Sequence, residues 1–113
     1  MLPADDRIRI QHMLDAANKA RSFVADRERE DLDEDEQLSL SLQRLIEIIG
    51  EAAKKVSPDG RRYAPRIPWP KIGGMRDRLI HAYFDVNLDI LWDTIVDDLP
   101  PLVAELEAVL ART

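Results

Sequence analysis

The residues best suited to chemistry fall in one stretch, Gly74-Met75-Arg76-Asp77-Arg78-Leu79-Ile80-His81-Ala82-Tyr83-Phe84, which carries one of only two histidines in the chain. An imidazole gains and loses a proton close to neutral pH. A guanidinium stays charged and offers a planar fork to phosphate oxygens. RNA brings its own nucleophile, the 2′-hydroxyl. A base at His81 can take the proton from that hydroxyl, and Arg76 can stabilise the charge that builds on a five-coordinate phosphorus. The leaving oxygen can be protonated by water or by a second His81 from another copy. No metal-ligand cluster accompanies the pair, so the chemistry read here is metal-independent RNA cleavage, with no metal and no cofactor expected. The plain alternative is a surface salt-bridge cluster beside a tyrosine with a wet tip. Spacing alone leaves both open.

On a helix, Arg76, Ile80 and Tyr83 would share one face, and Asp77 and His81 would stand one turn apart on the next. Asp77 is then expected to accept a hydrogen bond from His81 and fix its tautomer, with Arg78 close by. Arg76 and His81 would lie about 140° apart around an ideal helix; their long side chains could flank a groove edge, but they would not stack. A two-fold axis beside this helix would bring the Arg76 and His81 of both copies into one composite cleft, so a homodimer is expected.

The elements that must hold this stretch read as helices. A first helix is predicted from about Asp5 to Ala25, with Ile10, Met13, Leu14, Ala17, Ala20 and Val24 on one stripe and Asp5 or Asp6 as its cap. His12 lies off that stripe and reads as a surface or rim histidine. An acidic segment, 26–36, leads into a second helix from about Asp35 to Val56. Its seam is Leu38, Leu42, Leu45, Ile49, Ala52 and Val56. Gly50 inside it predicts close approach of a neighbour. Ser57-Pro58-Asp59-Gly60 reads as a turn. A proline-rich loop over 57–70 follows, pinned by Ile67, Trp69 and Tyr63. A third helix is predicted from Trp69 to about Asp85, with Gly73-Gly74 inside it. The last segment, Leu88 to Arg112, is expected to kink or break near Leu99 because of Pro100-Pro101, with Asp97 or Asp98 capping the new start. Trp69 and Trp92 read as core packing. No strand alternation and no repeat is visible. The fold class expected is all-α: an antiparallel bundle of four to five helices in a single domain over 1–113.

The chain has 113 residues, no cysteine and a net charge of -6. No disulfide or thiolate site is possible, and the absence of cysteine fits a reducing compartment. There is no signal pattern at the N-terminus and no apolar run long enough to span a membrane. A cytoplasmic protein without a membrane partner is expected. The charge is uneven: eight acids and two bases over 26–36, then eight bases and two acids over 54–78, then seven acids and one base over 85–113. The basic block overlaps the chemical stretch. Such a block can bind phosphate on an acidic protein, and Arg78, Lys71 and Arg66 are candidate RNA-phosphate contacts. Solvated charges paired with the acidic segments are the alternative.

Several segments in order carry a resemblance: Ile48-Ile49-Gly50-Glu51-Ala52-Ala53-Lys54, Ile67-Pro68-Trp69, the stretch from Gly74 to Phe84, then Trp92 and Asp98-Leu99-Pro100. Together they resemble the HepT-like family of the HEPN superfamily, whose motif of Arg, four residues, His, one residue and Tyr is met in full. The resemblance implies a small helical protein that dimerises through the motif helix, a toxin of a type VII-like toxin–antitoxin pair. It implies an endoribonuclease with Arg76 and His81 as catalytic residues, Asp77 as the supporting polar residue, and RNA as substrate, with tRNA and mRNA both open. It further implies that Tyr83 is adenylylated by a cognate MntA-type nucleotidyltransferase antitoxin, which silences the toxin. A helical module that binds a nucleotidyltransferase and nucleotide or RNA without cutting is the alternative.

Overall fold

The computed structural model describes residues 1–82 and 84–113. Tyr83 lies outside the described residues. The first helix, α1 (Ala4–Val24), buries Ile10, Met13, Leu14, Ala17 and Ala20, as their spacing predicts. Its cap differs from expectation. Pro3 occupies the N-cap position without a side-chain hydrogen bond. Asp6 turns inward instead and is only 2% exposed. There it accepts hydrogen bonds from the backbone N–H of Ser57 at 2.9 Å and from the Ser57 hydroxyl.

The acidic segment holds one short helix, α2 (Asp31–Glu34), and then α3 (Glu36–Lys55). Asp35 caps α3, its Oδ1 accepting from the N–H of Leu38 at 3.0 Å. That bond, followed by the hydrogen bond from Arg27, holds the Asp35 carboxyl below its usual value. A depressed carboxyl stabilises the fold above its ordinary pKa, and the contribution disappears as pH falls through the folded-state value. Asp35→Ala is therefore expected to lower the unfolding midpoint at pH 7. The gap to the wild type should close as the pH drops below the usual 3.8. Chemical denaturation of both proteins across that range checks this.

The seam of α3 is buried throughout and packs against α1 along its length. Gly50 faces α5 (Trp69–Gly73), which is the close neighbour that the glycine predicted without naming. A Cβ there would lie 3.7 Å from the carbonyl oxygens of Ile72 and Gly73, which is ordinary contact. Gly50→Ala is thus expected to stabilise the protein by about 0.5–1 kcal/mol through helix propensity. A raised thermal midpoint would show it.

Ser57-Pro58-Asp59-Gly60 does not simply turn the chain. It opens a further helix, α4 (Pro58–Tyr63), with Ser57 as N-cap and proline in the first turn. Ile67 and Trp69 are buried, and the Trp69 indole N–H donates to the Ala64 carbonyl at 3.0 Å. The Tyr63 hydroxyl donates to the Arg112 carbonyl at 3.2 Å, tying this segment to the C-terminus. Arg61, expected in a loop but placed on α4, lies over the Trp69 ring and donates to the Ala53 carbonyl, so it serves packing.

The expected third helix is broken. It is α5, then α6 (Met75–Leu79), then a two-stranded hairpin of β1 (Ile80–Ala82) and β2 (Asp85–Val86). Gly74 joins the two helices as the last cap of one and the first of the other. After Leu79 the backbone turns extended at Ile80. The hairpin pairs Ile80 with Val86 and Ala82 with Asp85. The reason is local composition. Ile80, Phe84 and Val86 favour strands, and the glycine doublet withholds helix propensity from the segment upstream.

Asn87 caps α7 (Leu88–Asp93) by accepting from the N–H of Ile90. A π-helical turn over Thr94–Asp98 follows, then α8 (Leu99–Ala111). The kink or break expected near Leu99 takes the form of this π-helical turn, and the helical backbone continues through it. Pro100 and Pro101 have no N–H to offer the preceding turn, so the ladder widens before them and the Leu99 N–H bonds back to Thr94. Asp98 makes no capping hydrogen bond; its carboxylate is used elsewhere, as described below. The whole is a helical bundle in which α1 packs on α3 and α8, and α3 backs α5 and α6. Trp92 is half-buried, and His12 is exposed. No helix among the described residues is long and apolar enough to cross a membrane.

Candidate functional site

The structure places the chemical stretch at the junction of α6 and the hairpin. Met75 and Leu79 are fully buried beneath α6 and anchor it. Arg76, Asp77 and Arg78 point outward between those anchors. His81 lies in the middle of β1 and is exposed, while Ile80 and Ala82 on either side are half-buried. This is the alternation a short strand imposes. Position 83, with the tyrosine of the motif, is outside the described residues.

The helical geometry expected for Asp77 and His81 is not realised, because α6 ends at Leu79, between them. Asp77 lies beside Arg76 instead, with Oδ1 3.7 Å from the Arg76 Nη1. Arg76 is also held from across the bundle, its Nε 3.6 Å from Oε1 of Glu47 on α3. Glu47 in turn meets Arg44 at 3.3 Å. One carboxylate therefore steadies two guanidinium groups. Arg76 remains about half exposed, at 48% of its side chain, so its fork can still reach a phosphate.

Glu47 escaped the sequence reading. Gly50 predicted a close neighbour without saying which segment it was; the structure shows it to be the segment before Arg76, and Glu47 lies one turn before Gly50 on α3. The three candidate phosphate contacts all have carboxylate partners on the C-terminal segment. Arg78 and Lys71 share Asp98 at 3.3 and 3.7 Å, and Arg66 meets Glu105 at 3.4 Å. Those pairs are exposed and worth little individually, but they pull the positive field of this face toward neutrality.

An exposed arginine and an exposed histidine at adjoining edges of two short elements suit phosphate chemistry, and comparison with known proteins narrows it. The family described as ribonuclease HepT-like matches residues 13–109. The chain belongs to the HepT-like family. Among its relatives is the probable ribonuclease HepT of Thermococcus cleftensis, 44% identical over 73 residues that span 65% of this chain and 66% of that protein. A candidate RNase of Caldanaerobacter subterraneus subsp. tengcongensis is 41% identical over 74% of each chain. A candidate RNase of Methanocaldococcus jannaschii is 30% identical over 96% of this chain and its own entire length. No solved structure matches the chain. Ribonuclease activity is thus the activity of the HepT-like family to which the Arg76–His81 stretch belongs.

Proposed function

We propose that this chain is the toxin half of a toxin–antitoxin pair, an endoribonuclease that cuts RNA without a metal ion. Two copies form its cleft, each contributing Arg76 and His81. The observation that carries the reading is the pair itself, both members exposed, on the consecutive elements α6 and β1 of a HepT-like chain. In the reaction, His81 takes the proton of a 2′-hydroxyl, and the freed oxygen attacks the adjacent phosphorus. The bond to the 5′-oxygen breaks, and that oxygen is protonated by the partner copy's imidazole or by water. Arg76 bears the charge on the non-bridging oxygens. Because the α6–β1 break leaves Arg76 and Asp77 paired, Asp77 orients the arginine rather than the imidazole.

Tyr83 is the proposed control point. Its hydroxyl would attack the α-phosphate of ATP on an MntA-type nucleotidyltransferase, releasing pyrophosphate and leaving AMP on the ring. The added bulk and charge, two residues from His81 in sequence, would compete with substrate phosphate for Arg76. Mass spectrometry of the protein co-expressed with such an enzyme is expected to show one AMP adduct on Tyr83. An unmodified tyrosine in the neutralised protein would overturn this control.

The function is tested with total cellular RNA and purified, unmodified protein in EDTA, with His81→Ala prepared identically. Cleavage by the wild type alone is expected, and sequencing the new ends would identify the target. The end of α6 at Leu79, which removes the one-turn helical spacing expected of Asp77 and His81, favours one second reading, a module that binds RNA or nucleotide without cutting. Binding without cleavage by dimeric wild-type protein would decide for it.

A further inference from the structure

On the side of α3 away from α5, the N-terminal turns of α1 and the C-terminal half of α3 enclose an open cleft of about 430 Å³. Its cations are Arg9, Arg44 and Lys55, and its carboxylates are Asp5 and Glu51. Its apolar wall is Ile8, 54% exposed, with the half-buried Ile48 behind it. Three features mark it out beside a second hollow, which lies near α8 and is lined by Arg66, Lys71, Asp98 and Glu105. First, Arg9 and Lys55 have no ion-pair partner among the described residues; the one hydrogen bond given for Arg9 goes to the backbone carbonyl of Asp5 at 3.2 Å. The cations of the hollow near α8, Arg66 and Lys71, are both paired. Second, a large apolar side chain stands exposed beside the free cations, the combination that a base or ribose next to a phosphate requires. Third, the cleft adjoins the candidate site. Arg44 on its rim shares the Glu47 carboxylate with Arg76, so the two guanidinium groups are close enough to contact neighbouring phosphates of one strand.

We propose that this α1–α3 cleft is a subsite for single-stranded RNA, running from Arg76 past Arg44 to Arg9 and Lys55. Phosphates of the strand meet the three cations, and a base or ribose face covers Ile8 and Ile48. The proposal rests on the ribonuclease reading above and names where the substrate lies beyond the scissile bond. It assigns binding, not catalysis, to Arg9 and Lys55.

The test uses the full chain and a fluorescein-labelled, fully 2′-O-methylated oligoribonucleotide, which lacks the attacking hydroxyl and cannot be cleaved. Fluorescence anisotropy over a range of salt concentrations gives Kd and its salt slope. Arg9→Ala/Lys55→Ala is expected to weaken binding about tenfold or more and to flatten the slope by roughly 1.4, since each phosphate contact on a single strand contributes about 0.7. Arg9→Glu/Lys55→Glu should weaken binding further. Arg21→Ala, an exposed cation at the other end of α1, should change neither quantity. Lys55 and Arg21 are exposed and Arg9 is half-buried, and matching thermal midpoints would confirm that the three variants fold. Wild-type binding with the same Kd and slope in the double variants overturns the subsite alone. A wild type that neither binds this probe nor cleaves RNA overturns the ribonuclease reading together with it.

Discussion

His81→Ala is expected to lower RNA cleavage by about 10²–10⁴-fold, the contribution of a positioned general acid–base group. Arg76→Ala should cost about 10²–10³-fold, as loss of a donor to developing negative charge does. Neither change should disturb the fold. His81 is exposed on β1, and the contacts of Arg76 with Glu47 and Asp77 are surface pairs of 3.6 and 3.7 Å, worth at most about 1 kcal/mol together. Unchanged thermal midpoints would separate lost chemistry from lost structure. Arg76→Lys gives the sharper reading. It keeps the charge and loses the planar fork, so activity between wild type and Arg76→Ala is expected. The double variant should be little worse than His81→Ala, because residues that act on one transition state are not additive. Cleavage within a few-fold of wild type in both single variants would remove the pair from the site.

The long helices were legible because their burial follows period: the stripe of α1 and the seam of α3 are buried where spacing puts them. The irregularity before Pro100 was legible because proline removes a donor wherever it stands, although it is a π-helical turn and not a break. The segment from Trp69 to Val86 was not. Its apolar positions fit a helix, but Gly73-Gly74 and the β-branched and aromatic residues after Leu79 oppose one, and a short segment decides between such balanced preferences by tertiary contact. The error moved His81 from one turn above Asp77 to a strand. Arg76 and His81 stay candidates, because they rest on residue type and on the family motif rather than on angle. Asp6 failed differently. A carboxylate in a first turn reads as a cap, and only the fold shows that Ser57 lies opposite it.

Asp6 also yields the largest expected effect on stability. It is buried, and it receives the backbone N–H of Ser57 at 2.9 Å together with the Ser57 hydroxyl. The same Ser57 oxygen accepts from the N–H of Gly60 at 3.2 Å. Asp6, Ser57 and Gly60 thus form one joint that fastens the start of α1 to the start of α4. Asp6→Ala strands two half-buried donors and is expected to cost about 2–3 kcal/mol, a sizeable share of the ~5–15 kcal/mol that holds a domain together. Ser57→Ala should cost less, since its backbone N–H still reaches Asp6. Gly60→Ala attacks the joint sterically. A Cβ there would collide with the Asp6 carboxylate and lie 2.8 Å from its Cγ and from Cγ1 of Val56. Overpacking of this kind costs about 1–3 kcal/mol. Two of the three clashes vanish once Asp6 is alanine, so Asp6→Ala/Gly60→Ala should be less damaged than the sum of its parts. Urea unfolding of the four proteins measures this, with equal slopes confirming that native and denatured states are comparable. Strict additivity would mean that Gly60 is required for the backbone of α4 and not for the space that Asp6 fills.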